Sequence, residues 1–462
     1  MSELNFRGKR VTVVGLARSG FAACKVLAGL GATVLATDQN PVEALRVDVA
    51  ELSRLGVRLE TGGHTARSFL EADLIVVSPG VDSRLRFLAQ ARSQGVPVWG
   101  EVELAYQLAV APFIGITGTK GKGTTATLLG AMLAQAGRKT VVAGNIGRPL
   151  CDVVGSLPED TWVVAELSSF QLEEVVEFRP RIALLLNLAP DHLDRYPNAE
   201  TYYAAKKRLF DNQTPDDVAV LNKDDEQVLA LAEHARARRV YFSQRLRVGM
   251  GASVQDGWLC VEGGAVVRKI CAVGELPLSG PGILEDALAA CAAASILDIA
   301  PESMAEALRG FRGRAHCMEG VAEIDGVRYV NDSKATNVFA VRRALEAMEG
   351  PVILIAGGRE KREDFRSLAA LARERVKALL VIGEARAKIL SHIGDCCPSE
   401  EASSMADAVQ KARSRAAPGD VVLMSPGCAS FDMFQSAEER GEVFKSVVRE
   451  LRPGGESVGQ RR

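Results

Sequence analysis

Between the apolar run Phe113 to Thr117 and a helical stretch lies Gly118-Thr119-Lys120-Gly121-Lys122. Glycines there let successive backbone N–H groups converge on phosphate oxygens. The helix start adds positive potential, and Lys122 spans the outer phosphates of a triphosphate. The spacing is shorter than a full Gly-x-x-x-x-Gly-Lys loop, because Ile116 stands where the first glycine belongs. Gly123 stands where a magnesium-binding hydroxyl usually follows the lysine, so either Thr124 or Thr125 substitutes or the site lacks that ligand. A glycine-rich turn with an accidental lysine is the competing reading.

Two further polar strings each close a buried run: Val164-Ala-Glu166-Leu-Ser168-Ser169-Phe-Gln171 and Asn187-Leu-Ala-Pro-Asp191-His192-Leu-Asp194. Doubly wound sheets bind ligands at the carboxyl ends of their strands. Glu166 is there a suitable hard oxygen ligand for Mg²⁺, and His192 with its carboxylate neighbours suits a second ion. Taken singly, each is ordinary. A histidine beside an aspartate also serves as a hydrogen-bonded structural group, and a strand-end glutamate is often only solvated.

These strings need strands to carry them. From Lys9 to about Gly100, short β-rich runs (Val11 to Val14, Thr33 to Thr37, Asp73 to Ser78) alternate with helical stretches such as Phe21 to Leu30, the pattern of a parallel βαβ domain. Its first turn, Gly15-Leu-Ala17-Arg-Ser19-Gly20, with Asp38 ending the next strand, is similar to a dinucleotide fingerprint in which Ala17 replaces the middle glycine. A working phosphate turn and a plain structural turn both fit. Buried strands are expected at Thr161 to Ala165 and Arg181 to Leu186. A third βα series starts near His316, with strands at Val352 to Ala356, Ala378 to Ile382 and Asp420 to Met424. Leu308 to Ala315 reads as a linker, and the tail Pro453 to Arg462 reads as disordered.

At 462 residues several cores are required. With 56 Lys and Arg against 58 Asp and Glu, the net charge of -2 supplies no global field for nucleic acid or an anionic membrane, so any anion must be gripped locally. Nine cysteines without metal-type pairs suggest reduced thiols in a cytoplasm, with Cys24 and Cys291 in the core. The amino terminus has no signal-peptide pattern, and no apolar run is long enough to span a membrane.

Taken in order, GTKGKGTT, GNIG (Gly144 to Gly147), AELSSFQLE, NLAPDHLDRY, AAKKRLF, NDSKATN and SPGCASFDMF resemble the bacterial Mur ligases, within them the branch that adds D-glutamate. The resemblance covers nearly the whole chain, with Asn331 to Asn337 the sharpest discriminator. It implies an α/β protein of three domains: a Rossmann-like UDP-binding domain (1–100), a central P-loop ATPase-like parallel-sheet domain (101–314) and a Rossmann-like amino-acid-binding domain (315–462). It implies ATP, two Mg²⁺ ions, UDP-N-acetylmuramoyl-L-alanine and D-glutamate as ligands of a cytoplasmic monomer that binds no nucleic acid and does not insert into membranes. The chemistry implied is an acyl phosphate followed by a tetrahedral intermediate.

Residue by residue, the resemblance makes Lys122, His192, Lys206, Asp332 and Lys334 catalytic. It gives the nucleotide Gly118, Thr119, Lys120, Gly121, Lys122, Gly123, Thr124, Thr125 and Asp286, and the metal Thr124, Glu166, His192 and a carbamylated Lys206. Ser19, Asp38, Asn145, Ser168, Gln171, Thr336, Lys361 and Ser430 would meet the other substrates. Without the resemblance, Lys206 reads as a solvated helix lysine.

The chain departs from the family pattern at Gly123, at Gly282, Ile283 and Asp286 on the adenosine side, at Cys317 where an arginine is usual, and at Ala437 where an aromatic is usual. Loss of one charged phosphate contact costs about 1.5 to 3 kcal/mol, which slows an enzyme without abolishing its reaction. An activity-impaired nucleotide-binding relative with a regulatory or scaffolding role is therefore the alternative. A nicotinamide-dependent oxidoreductase, resting on Gly15 to Gly20 and Asp38, leaves the Lys122 loop unexplained.

Overall fold

The computed structural model describes residues 5–277, 280–360 and 363–451; Lys361 and the carboxy-terminal tail lie outside them. Three sheets carry the chain. The first is wholly parallel, ordered β3-β2-β1-β4-β5, from β1 (Arg10–Val14), β2 (Thr33–Asp38), β3 (Arg58–Thr61), β4 (Leu74–Val77) and β5 (Val98–Gly100). Val11, Val13 and Val14 are all buried, as a strand covered on both faces requires.

The second sheet has nine strands: β6 (Phe113–Thr117), β7 (Thr140–Gly144), β8 (Trp162–Glu166), β9 (Ile182–Leu185), β10 (Val218–Asn222), β11 (Arg238–Ser243), β12 (Met250–Gln255), β13 (Trp258–Gly263) and β14 (Val266–Ala272). Their order is β14-β13-β12-β11-β10-β9-β6-β8-β7. Pairing is parallel from β7 to β12, and the sheet then ends in the antiparallel meander β12 to β14, which a purely parallel reading of this domain omits. Arg268 and Lys269 lie exposed on the terminal strand, where charge discourages edge-to-edge association. The third sheet, β15-β16-β20-β17-β18-β19, contains β15 (Glu319–Ile324), β16 (Val327–Asn331), β17 (Val352–Gly357), β18 (Val376–Ile382), β19 (Ser399–Glu401) and β20 (Val421–Met424). It is parallel except for β15 against β16.

The described residues form two compact units. One holds the first two sheets; the other holds the third sheet together with Ala189–Ala199 and residues 280–284. In the first unit one apolar core runs from Val11 and Leu27 through Leu104 and Phe113 to Leu185 and Leu221, and a smaller cluster holds Val14, Phe69 and Ile75. In the second, separate apolar clusters contain Val341, Leu354 and Leu379 on the one hand and Ile355, Leu380 and Phe444 on the other. Cys24 and Cys291 are fully buried, and none of the nine cysteines, all among the described residues, is in a disulfide.

Helix Glu101–Leu108 joins the first sheet to the second through two buried carboxylates. Glu103 Oε2 accepts the N–H groups of Val176, Glu177 and Phe178 at 2.7, 3.0 and 3.0 Å. Glu101, 1% exposed, accepts Cys151 N–H at 2.7 Å, while its Oε2 has no partner. Burial pushes the Glu101 carboxyl up to about 7. The folded chain thus keeps a proton that the unfolded chain releases near 4.5, so stability falls as pH rises from there through about 7 and then levels off. Glu101→Gln keeps the acceptor for Cys151 and removes the titration. Calorimetry should show it melting above the parent at pH 8, with the gap closing toward pH 5; a gap independent of pH would refute this origin.

Candidate functional site

β6 delivers the chain to the loop 118–121, and helix Lys122–Gln135 leaves it. Both turning points need glycine. Gly118 has φ +153° and Gly121, the helix cap, has φ +85°; a Cβ on Gly121 would be driven into the Asp286 carboxylate. Asn187, just beyond β9, fixes the loop with its side-chain amide. Its Oδ1 accepts Lys120 N–H at 2.8 Å, and its Nδ2 donates to Lys120 O at 3.1 Å and to Glu285 Oε1 at 2.6 Å. Thr119 N–H donates to Asn187 O at 3.0 Å.

Two ammonium groups meet at the base of the loop. Lys122 Nζ donates to the carbonyls of Gly118 and Thr119 at 2.8 and 3.1 Å, and Lys206 Nζ donates to Gly118 O at 2.9 Å. Lys206, on helix Ala199–Lys207, is 1% exposed, with its ammonium 4.6 Å from the centre of the Tyr202 ring. It is not the solvated helix lysine that its sequence context suggests. Thr124 and Thr125 are buried in the first turn of the helix, and Thr125 Oγ1 has no partner. Gly123 occupies the same turn, its carbonyl accepting Thr127 Oγ1 at 2.8 Å.

At the end of β8, Glu166 is buried. Its Oε1 accepts Asn145 Nδ2 at 3.0 Å, and its Oε2 is buried without a partner, a carboxylate oxygen suited to a hard cation. Among the described residues no group of three or more His, Cys, Asp or Glu is placed to hold a metal ion. Ser168 and Gln171 form a reciprocal capping box: Ser168 Oγ accepts Gln171 N–H at 3.3 Å and Gln171 Oε1 accepts Ser168 N–H at 3.0 Å.

In the first sheet, Gly15 (φ +88°) and Gly20 make the turn, which Asp38 braces. Its Oδ2 accepts Leu16 N–H at 2.7 Å and its Oδ1 accepts Asn40 N–H at 2.8 Å. Ser19 is half-buried on helix Arg18–Gly29, and the Arg18 guanidinium donates to Gly147 O of the GNIG string.

In the second unit, Asp332 Oδ1 accepts Met318 N–H at 3.2 Å and its Oδ2 accepts Ser425 Oγ at 2.9 Å, while Lys334 pairs with Glu438 at 2.5 Å. Thr336 is half-buried and Ser430 is buried. Arg440, which the sequence reading does not single out, holds both strings together. Its guanidinium donates to Ser333 Oγ and O (3.0 and 2.8 Å) and to the carbonyls of Cys428 and Ala429 (3.1 and 3.3 Å); burial lowers it to about 10. His192 belongs to this unit and has a left-handed backbone, φ +56°. Of the departures, Gly282 has the Arg343 guanidinium where a side chain would begin, and Ala437 opens helix Ala437–Glu450.

The sequence missed Asn187 as a loop clamp, although its place at the end of an apolar run was a signal. Nothing local signalled the carbonyl cage around Arg440.

Family models match along the chain in order: the MurD-like N-terminal domain of Mur ligases at residues 9–100, the Mur ligase middle domain at 116–294 and the Mur ligase glutamate ligase domain at 313–428. A UDP-N-acetylmuramoylalanine--D-glutamate ligase of Acidobacterium capsulatum is 44% identical, over 96% of this chain and 97% of that protein. The chain belongs to the Mur ligase family. A second relative of the same description, from Pelotomaculum thermopropionicum, is 43% identical over 97% of this Mur ligase and 99% of its own length. The pseudomurein peptide ligase type C of Methanothermus fervidus shares the fold, with a TM-score of 0.62 at 18% identity across 96% of this chain and all of that one. No helix among the described residues is long and apolar enough to cross a membrane.

In this Mur ligase, Gly121→Ala combines backbone strain of about 1 to 3 kcal/mol with the collision against Asp286. The variant should unfold at lower denaturant and bind a non-hydrolysable ATP analogue at least tenfold more weakly. Unchanged binding would remove the loop from the nucleotide site.

Proposed function

We propose that this Mur ligase joins D-glutamate to UDP-N-acetylmuramoyl-L-alanine, driven by ATP, in the synthesis of peptidoglycan precursors. The likeness to relatives named for that product, over nearly the full length of both chains, carries the reading. Residues 1–100 would hold the UDP-sugar, with Ser19 and Asp38 at its turn, 101–314 the ATP, and 315–462 the amino acid. The terminal carboxylate of the UDP-substrate attacks the γ-phosphorus and ADP departs. The amine of D-glutamate then attacks the acyl phosphate, loses a proton, and the tetrahedral intermediate expels phosphate to leave the amide.

The phosphate loop, from Gly118 to Thr125 with Asp286 beside it, supports this reading through its backbone amides and through Lys122, whose ammonium already stands among the loop carbonyls. Asn145, Ser168 and Gln171 would line the groove for the UDP-substrate. Asn145 is oriented by Glu166 and the other two by each other, so each presents a fixed polar edge. Asp332 and Lys334 would act on the transferring phosphoryl group, and Thr336, Lys361 and Ser430 would grip D-glutamate, a cation and hydroxyls suited to a dicarboxylate.

The unpartnered Glu166 Oε2 fits one magnesium ion, with Thr124 as hydroxyl ligand; His192 would hold a second. Bound there, magnesium would offset the charge of the phosphates. Lys206 would add carbon dioxide with loss of two protons, one from its ammonium and one from the new N–C adduct, turning a buried cation into an anionic oxygen ligand. The intact set of Lys122, Glu166, His192, Lys206, Asp332 and Lys334 favours catalysis over a scaffolding role despite Gly123 and Cys317.

Phosphate release from ATP, measured with each of UDP-N-acetylmuramoyl-L-alanine, D-glutamate and ATP omitted in turn, tests the proposal. Release should require all three, and Lys122→Met should lower kcat/KM for ATP at least about tenfold. Absence of release with all three present, or equal rates with another amino acid, would refute it.

A further inference from the structure

Asn337 closes the string Asn331 to Asn337 and caps helix Val338–Ala347, its Oδ1 accepting Ala340 N–H at 2.9 Å. The other half of the same amide leaves the helix: Nδ2 donates to Asp191 Oδ2. The second oxygen of Asp191 accepts His192 N–H at 2.9 Å. Both side chains are out of water, Asn337 0% and Asp191 4% exposed. His192 sits at φ +56°, a conformation that a residue with a side chain adopts only when its surroundings impose it, and its carbonyl receives Arg195 and Tyr196 N–H at 3.0 and 2.9 Å. The imidazole Nε2 lies 3.9 Å from Asp191 Oδ2, beyond hydrogen-bond length. One hydrogen-bonded chain therefore runs from a helix start through an amide and a carboxylate to the strained backbone of His192.

We propose that Asn337 and Asp191 are positioning residues: together they latch the His192 turn to the amino-acid-binding string, so that His192 and the adjacent Thr336 are placed by one device. This rests on the function proposed above, in which Thr336 meets D-glutamate. A side-chain amide has one donor end and one acceptor end, and an ionised carboxylate only accepts, so the pair has a polarity. Asp191→Asn alone sets a donor against a donor on one side or the other. Asn337→Asp alone sets two carboxylates face to face in a buried place. Exchanging both restores these three bonds: the amide moved to position 191 would accept from His192 N–H and donate to the carboxylate moved to position 337, which still caps Ala340.

The test is this double-mutant cycle on the full-length protein, assayed below the unfolding midpoint of the weakest folded variant. Each single exchange should raise KM for D-glutamate at least tenfold and shift the imidazole NMR signal of His192, assigned with His192→Gln. The double exchange should return KM to within about threefold of the parent and restore the signal. A pair that merely holds the fold would lower the unfolding midpoint and leave both readouts at parental values, which would overturn the proposal. So would a double exchange no better than the worse single, or one that unfolds with it. If the parent did not use D-glutamate, the functional reading would fail, while the NMR and unfolding cycles would still decide the latch.

Discussion

Two ammonium groups share the carbonyl oxygen of Gly118. Lys122 approaches from the helix that leaves the loop and Lys206 from a helix 88 residues beyond that glycine, the latter sealed from water. In the function proposed above, Lys122 would turn to the phosphates of ATP on the loop amides, and Lys206, as its carbamate, would turn to a cation. The surrounding structure can be read as what is needed to keep that oxygen where it is. β6 and β9 are paired to Thr117, Gly118 and Gly121 accept backbone angles that a side chain would resist, and Asn187 ties the middle of the loop to the neighbouring strand end.

The same pattern appears elsewhere. Buried polar side chains bond at more than one end: Asn187 to Lys120 and Glu285, Asn337 to Ala340 and Asp191, Arg440 to four acceptors from two strings. Each such group links segments far apart in the chain and does so with a fixed polarity, which holds a site's shape more specifically than apolar packing of the same volume would. Glu166, like Glu101, departs from this pattern: one oxygen takes Asn145 and the second is left without a partner.

Much of this was legible in the sequence, for a physical reason. Strands buried on both faces are written as continuous apolar runs, and Val11 to Val14, Phe113 to Thr117 and Arg181 to Leu186 were found within a residue or so of their ends. The meander β12 to β14 was not: β12 and β14 mix polar with apolar residues, and the apolar run of β13, Trp258 to Val261, is only four residues long. Motif strings marked the segments expected to carry chemistry, yet not which side chains within them face one another. Gln171, a groove residue by resemblance, shares a capping box with Ser168, and the bond between Asn337 and Asp191 spans 146 residues, beyond any local pattern.

The central claim is that the loop around Gly118 presents ATP to a carboxylate, whose oxygen takes the phosphoryl group. Following an isotope tests it most directly. With both oxygens of the terminal carboxylate of UDP-N-acetylmuramoyl-L-alanine labelled with oxygen-18, the phosphate released in the presence of ATP and D-glutamate should carry one labelled oxygen, the other remaining in the new amide. Phosphate released without label would mean that the carboxylate is never phosphorylated, and would contradict the account.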